Sequence, residues 1–441
     1  MLPRLLPLLC PRALILAAAL AASSAWGAAP ADKREQAIVA YVQRQQVEAE
    51  GLLEQVSNIN SGTMNFDGVR AVGAVFKPRF EALGFKTRWI DGAPFGRAGH
   101  LVAEHKPKGA GKAVRVLLIG HLDTVFEPSS PFQRFERVDA NIARGPGTAD
   151  MKGGIVVALH ALAALQQVGA LDRMDIAVVL HGDEEDSGAP LQLARQALID
   201  AAKYADVAIG LENAADDPQT AVTARRSSSR WQINVQAKTA HSSQVFTDEV
   251  GAGAIYELAR ILNSFYTELR GEELLTFNPG LIAGSAQLEF GAEPLHASVS
   301  GKDNIVVPQA VATGDIRAIT PQQLEQTQER MRKIVAAHLP RTSAAIIFED
   351  SYPPMAPTQG NQRLLGMYDA VSRDLGFGPV TAVNPRRAGA ADISFAAEHV
   401  DMAIDGLGWL GGGSHTATEF VDLRNFQIQT QRLAVLLLRL K

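Results

Sequence analysis

Five short segments carry side chains whose types and spacing suit chemistry at divalent cations. Leu117-Leu-Ile-Gly-His-Leu-Asp-Thr-Val125 is an apolar run that ends in His121 and Asp123. Two residues apart on an extended chain, those side chains point the same way. A histidine beside a carboxylate suits a metal ligand and the partner that orients its ring. In Gly145-Pro-Gly-Thr-Ala-Asp-Met-Lys-Gly-Gly154, Asp150 stands between a glycine-rich turn and the expected start of a helix; glycine lets backbone approach a ligand closely. Val178-Val-Leu-His-Gly-Asp-Glu-Glu-Asp-Ser-Gly188 sets Asp183, Glu184, Glu185 and Asp186 in succession after an apolar strand. Like charges so close repel unless they share a cation or a proton. Ile209-Gly-Leu-Glu-Asn213 ends a further strand in Glu212, and Gly411-Gly-Gly-Ser-His-Thr-Ala-Thr-Glu419 puts His415 after a flexible glycine run.

Each segment alone reads equally as a polar loop, a solvated acidic turn or, for Asp150, a helix N-cap. Their convergence is what carries weight. Three strands end in His121, Glu184/Glu185 and Glu212, a helix start supplies Asp150, and a distant loop supplies His415. The carboxyl ends of parallel strands are where α/β proteins bind ligands. Oxygen and imidazole donors without thiolate suit zinc, cobalt or manganese. Five candidate ligands exceed one tetrahedral catalytic site. Two cations sharing one bridging carboxylate use all five and leave room for water.

The elements that must hold these residues follow from hydrophobic periodicity. Strands are expected at 86–90, 101–105, 114–119, 175–181 and 207–211, and helices at 32–55, 68–83, 153–167 and 190–201. Such alternation predicts an α/β fold, a mostly parallel sheet sandwiched by helices. The pattern changes near residue 220. Strands at 230–237, 310–319 and 343–348, with helices at 250–268 and 321–338, predict an inserted α+β unit. The first style resumes after Pro353, with helices at 361–375 and 423–440. The expected division is a discontinuous main domain, 28–219 and 351–441, around an inserted lid, 220–350.

The chain has 441 residues, 46% apolar and 20% charged, a globular composition long enough for more than one domain. A net charge of −5 without a basic block argues against a nucleic-acid binder. Residues 1–27 have the three-part layout of a signal peptide: Arg4 and Arg12, an apolar run from Ala13 to Ala22, then small residues up to Ala25 and Gly27. The run is short for a membrane span. Export, to a periplasm, with no membrane attachment after cleavage is therefore expected. The chain's one cysteine, Cys10, lies in that leader, so the cleaved chain is expected to have neither a disulfide nor a thiolate ligand.

The order and spacing of His121-Leu-Asp123, the glycine-rich run to Asp150, Asp183-Glu-Glu185 and Ser414-His415 resemble the co-catalytic zinc exopeptidases of the glutamate carboxypeptidase and aminoacylase-1 type. The resemblance covers about 38–440. It implies two divalent metal ions, with zinc expected and cobalt or manganese as alternatives. His121 and Glu212 would hold one, Glu185 and His415 the other, and Asp150 would bridge them. Asp123 would orient His121, Glu184 would be the general base, and the Asp150–Met151 peptide would be cis. His241 would match a lid histidine that reaches across a homodimer to the substrate carbonyl. The arginine matching Arg386 would hold a free α-carboxylate with help from Asn304. Arg317 would be a further substrate contact, or only the partner of Asp315 in a strand-surface ion pair. The arginines of 225–230 would sit at the domain hinge. The sequence departs from the family pattern at Asp186-Ser-Gly188, where the usual order is reversed, and at Lys238-Thr-Ala-His241. Glutamate at 212 is what the family's carboxypeptidases and deacylases carry. The resemblance thus implies a hydrolase of small peptides or N-acyl amino acids, cutting beside a C-terminal glutamate-like residue. An N-acyl-amino-acid amidohydrolase or dipeptidase is the alternative on the same scaffold, and a non-catalytic metal-stabilised binder the alternative of another class.

Overall fold

A six-stranded sheet organises the computed structural model, which describes residues 32–109, 113–213, 217–292 and 295–440. Its strands are β1 (Lys86–Asp91), β2 (Gly99–His105), β3 (Arg115–His121), β4 (Asp175–His181), β5 (Val207–Gly210) and β6 (Met402–Ile404). They lie in the order β1-β2-β4-β3-β5-β6. The run β4-β3-β5-β6 is parallel, while β1 and β2 complete one edge antiparallel. Parallel strands buried on both faces need apolar residues at every position. β3 supplies them: Val116 and Leu118 face one core, Leu117 and Ile119 the other.

The helix Lys152–Gln167 is buried almost all round. The sheet lies against it, and the helices Lys33–Gln43, Gln46–Ser57 and Asn425–Arg439 close over it. The helix Leu191–Tyr204 covers the opposite face through Leu198 and Ala202. In register, His121 pairs with His181 and Ile119 with Gly210. The loops after β3, β4 and β5 therefore leave the same sheet edge side by side.

Between β5 and β6 the chain forms a second sheet. Its antiparallel strands lie in the order Thr276–Ser285, Gln309–Arg317, Ser228–Ala237, Thr342–Tyr352. Trp231, Ile233 and Val235, at alternate positions, pack with Leu258, Ile261, Met331 and Ile334 of the helices Ala254–Ser264 and Pro321–Ala336 in a core of their own. A hairpin, Gln287–Gly291 with His296–Ser300, extends this unit. The chain passes into it at Arg225 and back at Met355. These two residues exchange backbone hydrogen bonds, each 3.0 Å.

Several elements differ from the sequence expectation. The helix expected at 32–55 is two, because the N–H groups of Arg44 and Gln45 turn to Tyr41 and Val42 and end the first. The helix expected from 250 begins at Ala254, since Gly251 and Gly253 adopt left-handed φ of 76° and 85°. The strand Thr276–Ser285 contains Pro279, which argues against a central strand; it is an edge strand, and its register shifts between Pro279 and Leu281. Residues 1–27, with Cys10, lie outside the described residues. Among the described residues no helix is long and apolar enough to cross a membrane.

Candidate metal centre and active-site cleft

The loops leaving that edge bring the five expected ligands together in two groups of three. His121 Nε2 lies 3.2 Å from Asp150 Oδ1 and 3.5 Å from Glu212 Oε1. His415 Nε2 lies 3.2 Å from Asp150 Oδ2 and 3.1 Å from Glu185 Oε2. Asp150 thus offers one carboxylate oxygen to each group, and within each group the candidate ligand atoms all fall within 4.8 Å of one another. His121 Nδ1 faces Asp123, 3.1 Å from its carbonyl and 3.3 Å from its carboxylate. A proton on Nδ1 leaves the Nε2 lone pair aimed at the group. One nitrogen and two oxygens per group, without sulfur, fit a pair of divalent cations. The Asp150–Met151 peptide is cis. His415 adopts φ 63° just after Gly413 at 72°, a conformation that costs an L-residue roughly 1–2 kcal/mol.

Three buried carboxylates fix the backbone of the ligand-bearing loops. Asp123 accepts the N–H groups of Glu184 and Glu185, each at 3.1 Å, and the Thr63 hydroxyl at 2.7 Å. Glu419 Oε1 accepts the N–H groups of Ala149 at 2.9 Å and Asp150 at 3.1 Å. Asp405 Oδ1 accepts the N–H of Glu212 at 3.2 Å. Of these only Asp123 was expected from sequence. Glu419 lies four residues beyond His415 in the same segment, and Asp405 follows an apolar strand, the signal that marked Glu212.

Crowded acids set the electrostatics. Burial pushes Glu185 up to about 7, with the Asp150 charge adding to it. Burial, then Asp150, also raises Glu212 and takes Glu419 to about 8. Asp150 is buried too, but His121 and His415 outweigh burial and hold it below the ordinary range. Hydrogen bonds to Asp150 and Glu185 raise His415 to about 11. Burial lifts Glu184 well above a free carboxylate; His121 opposes this, and the charges of Asp392, Glu185 and Glu212 add to it.

The centre forms one wall of a cleft of about 300 Å³. Glu184, Asn213, Arg225, Arg387 and 388–391 line the same cleft. Arg386 and Arg387 are both exposed, and of the two only Arg387 lines the cleft. Arg317 Nε pairs with Asp315 at 3.1 Å, the ion-pair alternative. His241 and Asn304 are neighbours in the inserted unit, where Ser242 N–H donates to the Asn304 carbonyl at 3.0 Å; neither lines this cleft. His241 is exposed, and its Nδ1 meets the Ser243 hydroxyl at 2.9 Å.

A model of the peptidase family M20/M25/M40 matches residues 117–439. The chain belongs to this family. Carboxypeptidase G2 of Pseudomonas sp. (strain RS-16) is 25% identical over 410 residues, 92% of this chain and 93% of that protein. Aminopeptidase PepT of Bacillus cereus ATCC 10987 superposes with a TM-score of 0.67 at 17% identity, covering 89% of this chain and 98% of that one. A Bacillus subtilis protein described as a dinuclear metal-binding M20 peptidase superposes at 0.62 with 14% identity, covering 90% and 98%. This M20 family member is a metal-binding hydrolase of the metallopeptidase class with the α/β fold of its relatives.

Proposed function

We propose that this M20 family member cleaves the amide bond next to a C-terminal amino acid with a free carboxylate, glutamate being favoured, and that its cations are zinc. The observation that carries the reading is the cleft: Glu184 and arginine line the same cavity as members of two three-ligand groups bridged by Asp150. Asp150, His121 and Glu212 would hold one cation; Asp150, His415 and Glu185 the other. Bound there, the pair supplies Lewis acidity, polarising a carbonyl and lowering the pKa of water from 15.7 toward about 7. Glu184 takes the proton from the attacking water and delivers it to the leaving nitrogen. A proton affinity above that of a free carboxylate, the direction in which burial moves Glu184, suits a group that both takes and gives a proton. Asp123 keeps His121 in the ligating tautomer and anchors the Glu184 and Glu185 backbone. Arginine's planar fork matches a carboxylate in two hydrogen bonds, which supports Arg387 as the anchor of the substrate's free end.

His241 of the partner subunit would complete the cleft in a homodimer joined through the inserted unit. Exposed Ile255 and Tyr256 on the helix Ala254–Ser264 and Ile282 on the edge strand support that interface. The reading includes export after removal of 1–27.

A panel of N-acyl amino acids, dipeptides and amidated peptides, assayed with zinc and with chelator, tests the substrate class. Chelator-sensitive release of free glutamate from acyl-glutamates is expected. Preference for C-terminally amidated substrates would overturn the reading; equal turnover of many acyl amino acids would replace it with a broad amidohydrolase.

A further inference from the structure

Both segments of the chain that join the inserted unit to the main domain carry a side chain linked by hydrogen bonds to the backbone of a glutamate of the site, Arg225 through Asp405 to Glu212 and Tyr352 directly to Glu184. On the way in, Arg225 is buried and donates through Nε to Asp405 Oδ2 at 3.0 Å; its Nη2 lies 2.8 Å from the same oxygen. Its Nη1 donates to the Gly389 carbonyl at 2.6 Å, in the wall that also holds Arg387. The other oxygen of Asp405 accepts the N–H of Glu212. Asp405 presses so closely on β5 that a Cβ at Gly210 would sit 2.1 Å from Oδ1. The link from Arg225 to Glu212 is therefore two hydrogen bonds long and tightly packed.

On the way out, Tyr352 ends the last strand of the inserted sheet. Its hydroxyl donates to the Glu184 carbonyl at 2.7 Å and accepts from Arg195 Nη2 at 3.0 Å. Arg195 is fully buried, and its Nη1 and Nε are held by Asp183 at 2.8 Å and Asp392 at 2.9 Å. Asp392 in turn binds His181 at the end of β4. With Arg195 held in this way, the shortest bond open to the Tyr352 proton is the one to the Glu184 carbonyl at 2.7 Å; the Ser187 hydroxyl lies farther off at 3.5 Å.

We propose that Arg225 and Tyr352 are positioning residues through which the hinge sets the metal ligand Glu212 and the general base Glu184. The assignment rests on the roles given above to those two glutamates. A change in the angle of the inserted unit moves the backbone of both crossing strands. Because Arg225 and Met355 are paired, the two cannot shift independently. Glu212 and Glu184 are thereby adjusted together when the unit closes on substrate.

Tyr352→Phe, Arg225→Lys and Asp405→Asn test the proposal, since each conserves bulk where an alanine would endanger folding. In folded Tyr352→Phe, kcat should fall about 10-fold with KM and zinc affinity within about 3-fold of the parent. In a Glu184→Gln background the same change should cost nothing further, whereas a general structural role would add its loss to both backgrounds. Arg225→Lys and Asp405→Asn should each weaken one of two zinc sites by about 10-fold or more in chelator competition, the scale of a lost outer partner, and spare the other. Parental zinc affinity in both variants, with parental kcat in Tyr352→Phe, overturns the proposal. The zinc titrations stand without any substrate: if the parent proves inactive on every amide, the proposed function fails, and the selective loss of one zinc site still decides the role of Arg225.

Discussion

Glu419 and Asp150 lie far apart in the chain, yet a Glu419 oxygen accepts the Asp150 backbone N–H at 3.1 Å. The same oxygen accepts the preceding N–H, so Glu419 fixes the turn that presents the bridging carboxylate. Glu419→Ala should weaken zinc binding at both sites by about 10- to 100-fold, as loss of an outer partner does. Competition with a calibrated chelator measures this directly, and loss at one site alone would contradict a role exerted through Asp150.

Glu184 belongs to neither three-ligand group. Glu184→Gln should therefore keep both cations and lose at least about 100-fold in kcat, the size of lost acid–base catalysis. Metal analysis alongside steady-state kinetics checks the pair of outcomes.

Removing the cations leaves acids facing one another. Glu185 has a usual pKa of 4.5 and stands at about 7 in the fold, mainly through burial. A raised folded-state value means its contribution to stability is fully present below 4.5 and is lost as pH rises through 7. The melting temperature of chelator-treated protein should fall between pH 5 and pH 8. Zinc should reverse the fall, by about 2.7 kcal/mol at a hundred times its Kd. Calorimetry across that range, with and without zinc, is the measurement.

Arg386 and Arg387 are adjacent, but only the second lines the cleft. Arg387→Ala should raise KM for acyl-glutamates about 10-fold or more, the worth of a charged hydrogen bond, with metal content intact. Arg386→Ala should change KM less than about 3-fold. The reverse ranking would return the carboxylate to Arg386.

Asp392 is buried against Arg195 and His181. Burial alone would raise it, but the Arg195 guanidinium and the contact with His181 outweigh it and hold it below the usual 3.8. Asp392→Asn should cost about 3 kcal/mol at neutral pH, as breaking a buried pair does. A depressed carboxylate gives stability above its unfolded value and loses it in acid. The gap between parent and variant should therefore narrow as pH falls below 3.8, which denaturant melts at pH 7 and pH 3 would reveal.

The sequence made the main sheet and the five cation-facing residues legible for one reason. Apolar runs such as Leu117–Ile119 end abruptly in acids or imidazole, and both strand and ligand are written locally. Less legible were the residues that act through distant partners. Asp405, Arg195 and Tyr352 look like ordinary polar residues until the fold brings each beside a partner more than a hundred positions away, a backbone group for Asp405 and Tyr352 and the Tyr352 hydroxyl for Arg195. The edge strand with Pro279 went unread because its local chemistry argues against a strand and only its neighbour supports it. Arg386 and Arg387 carry the same chemistry, and only the turn from Asn384 to Arg387 separates their surroundings.

The inserted unit departs from the main domain and rejoins it at two hydrogen-bonded neighbours, Arg225 and Met355. Its attachment is thus a single doorway, narrow enough for a short turn to seal. Evolution or a protein engineer can exchange the whole module there without rethreading the sheet, which makes this doorway a natural point at which one hydrolytic core acquires new assemblies and new substrates.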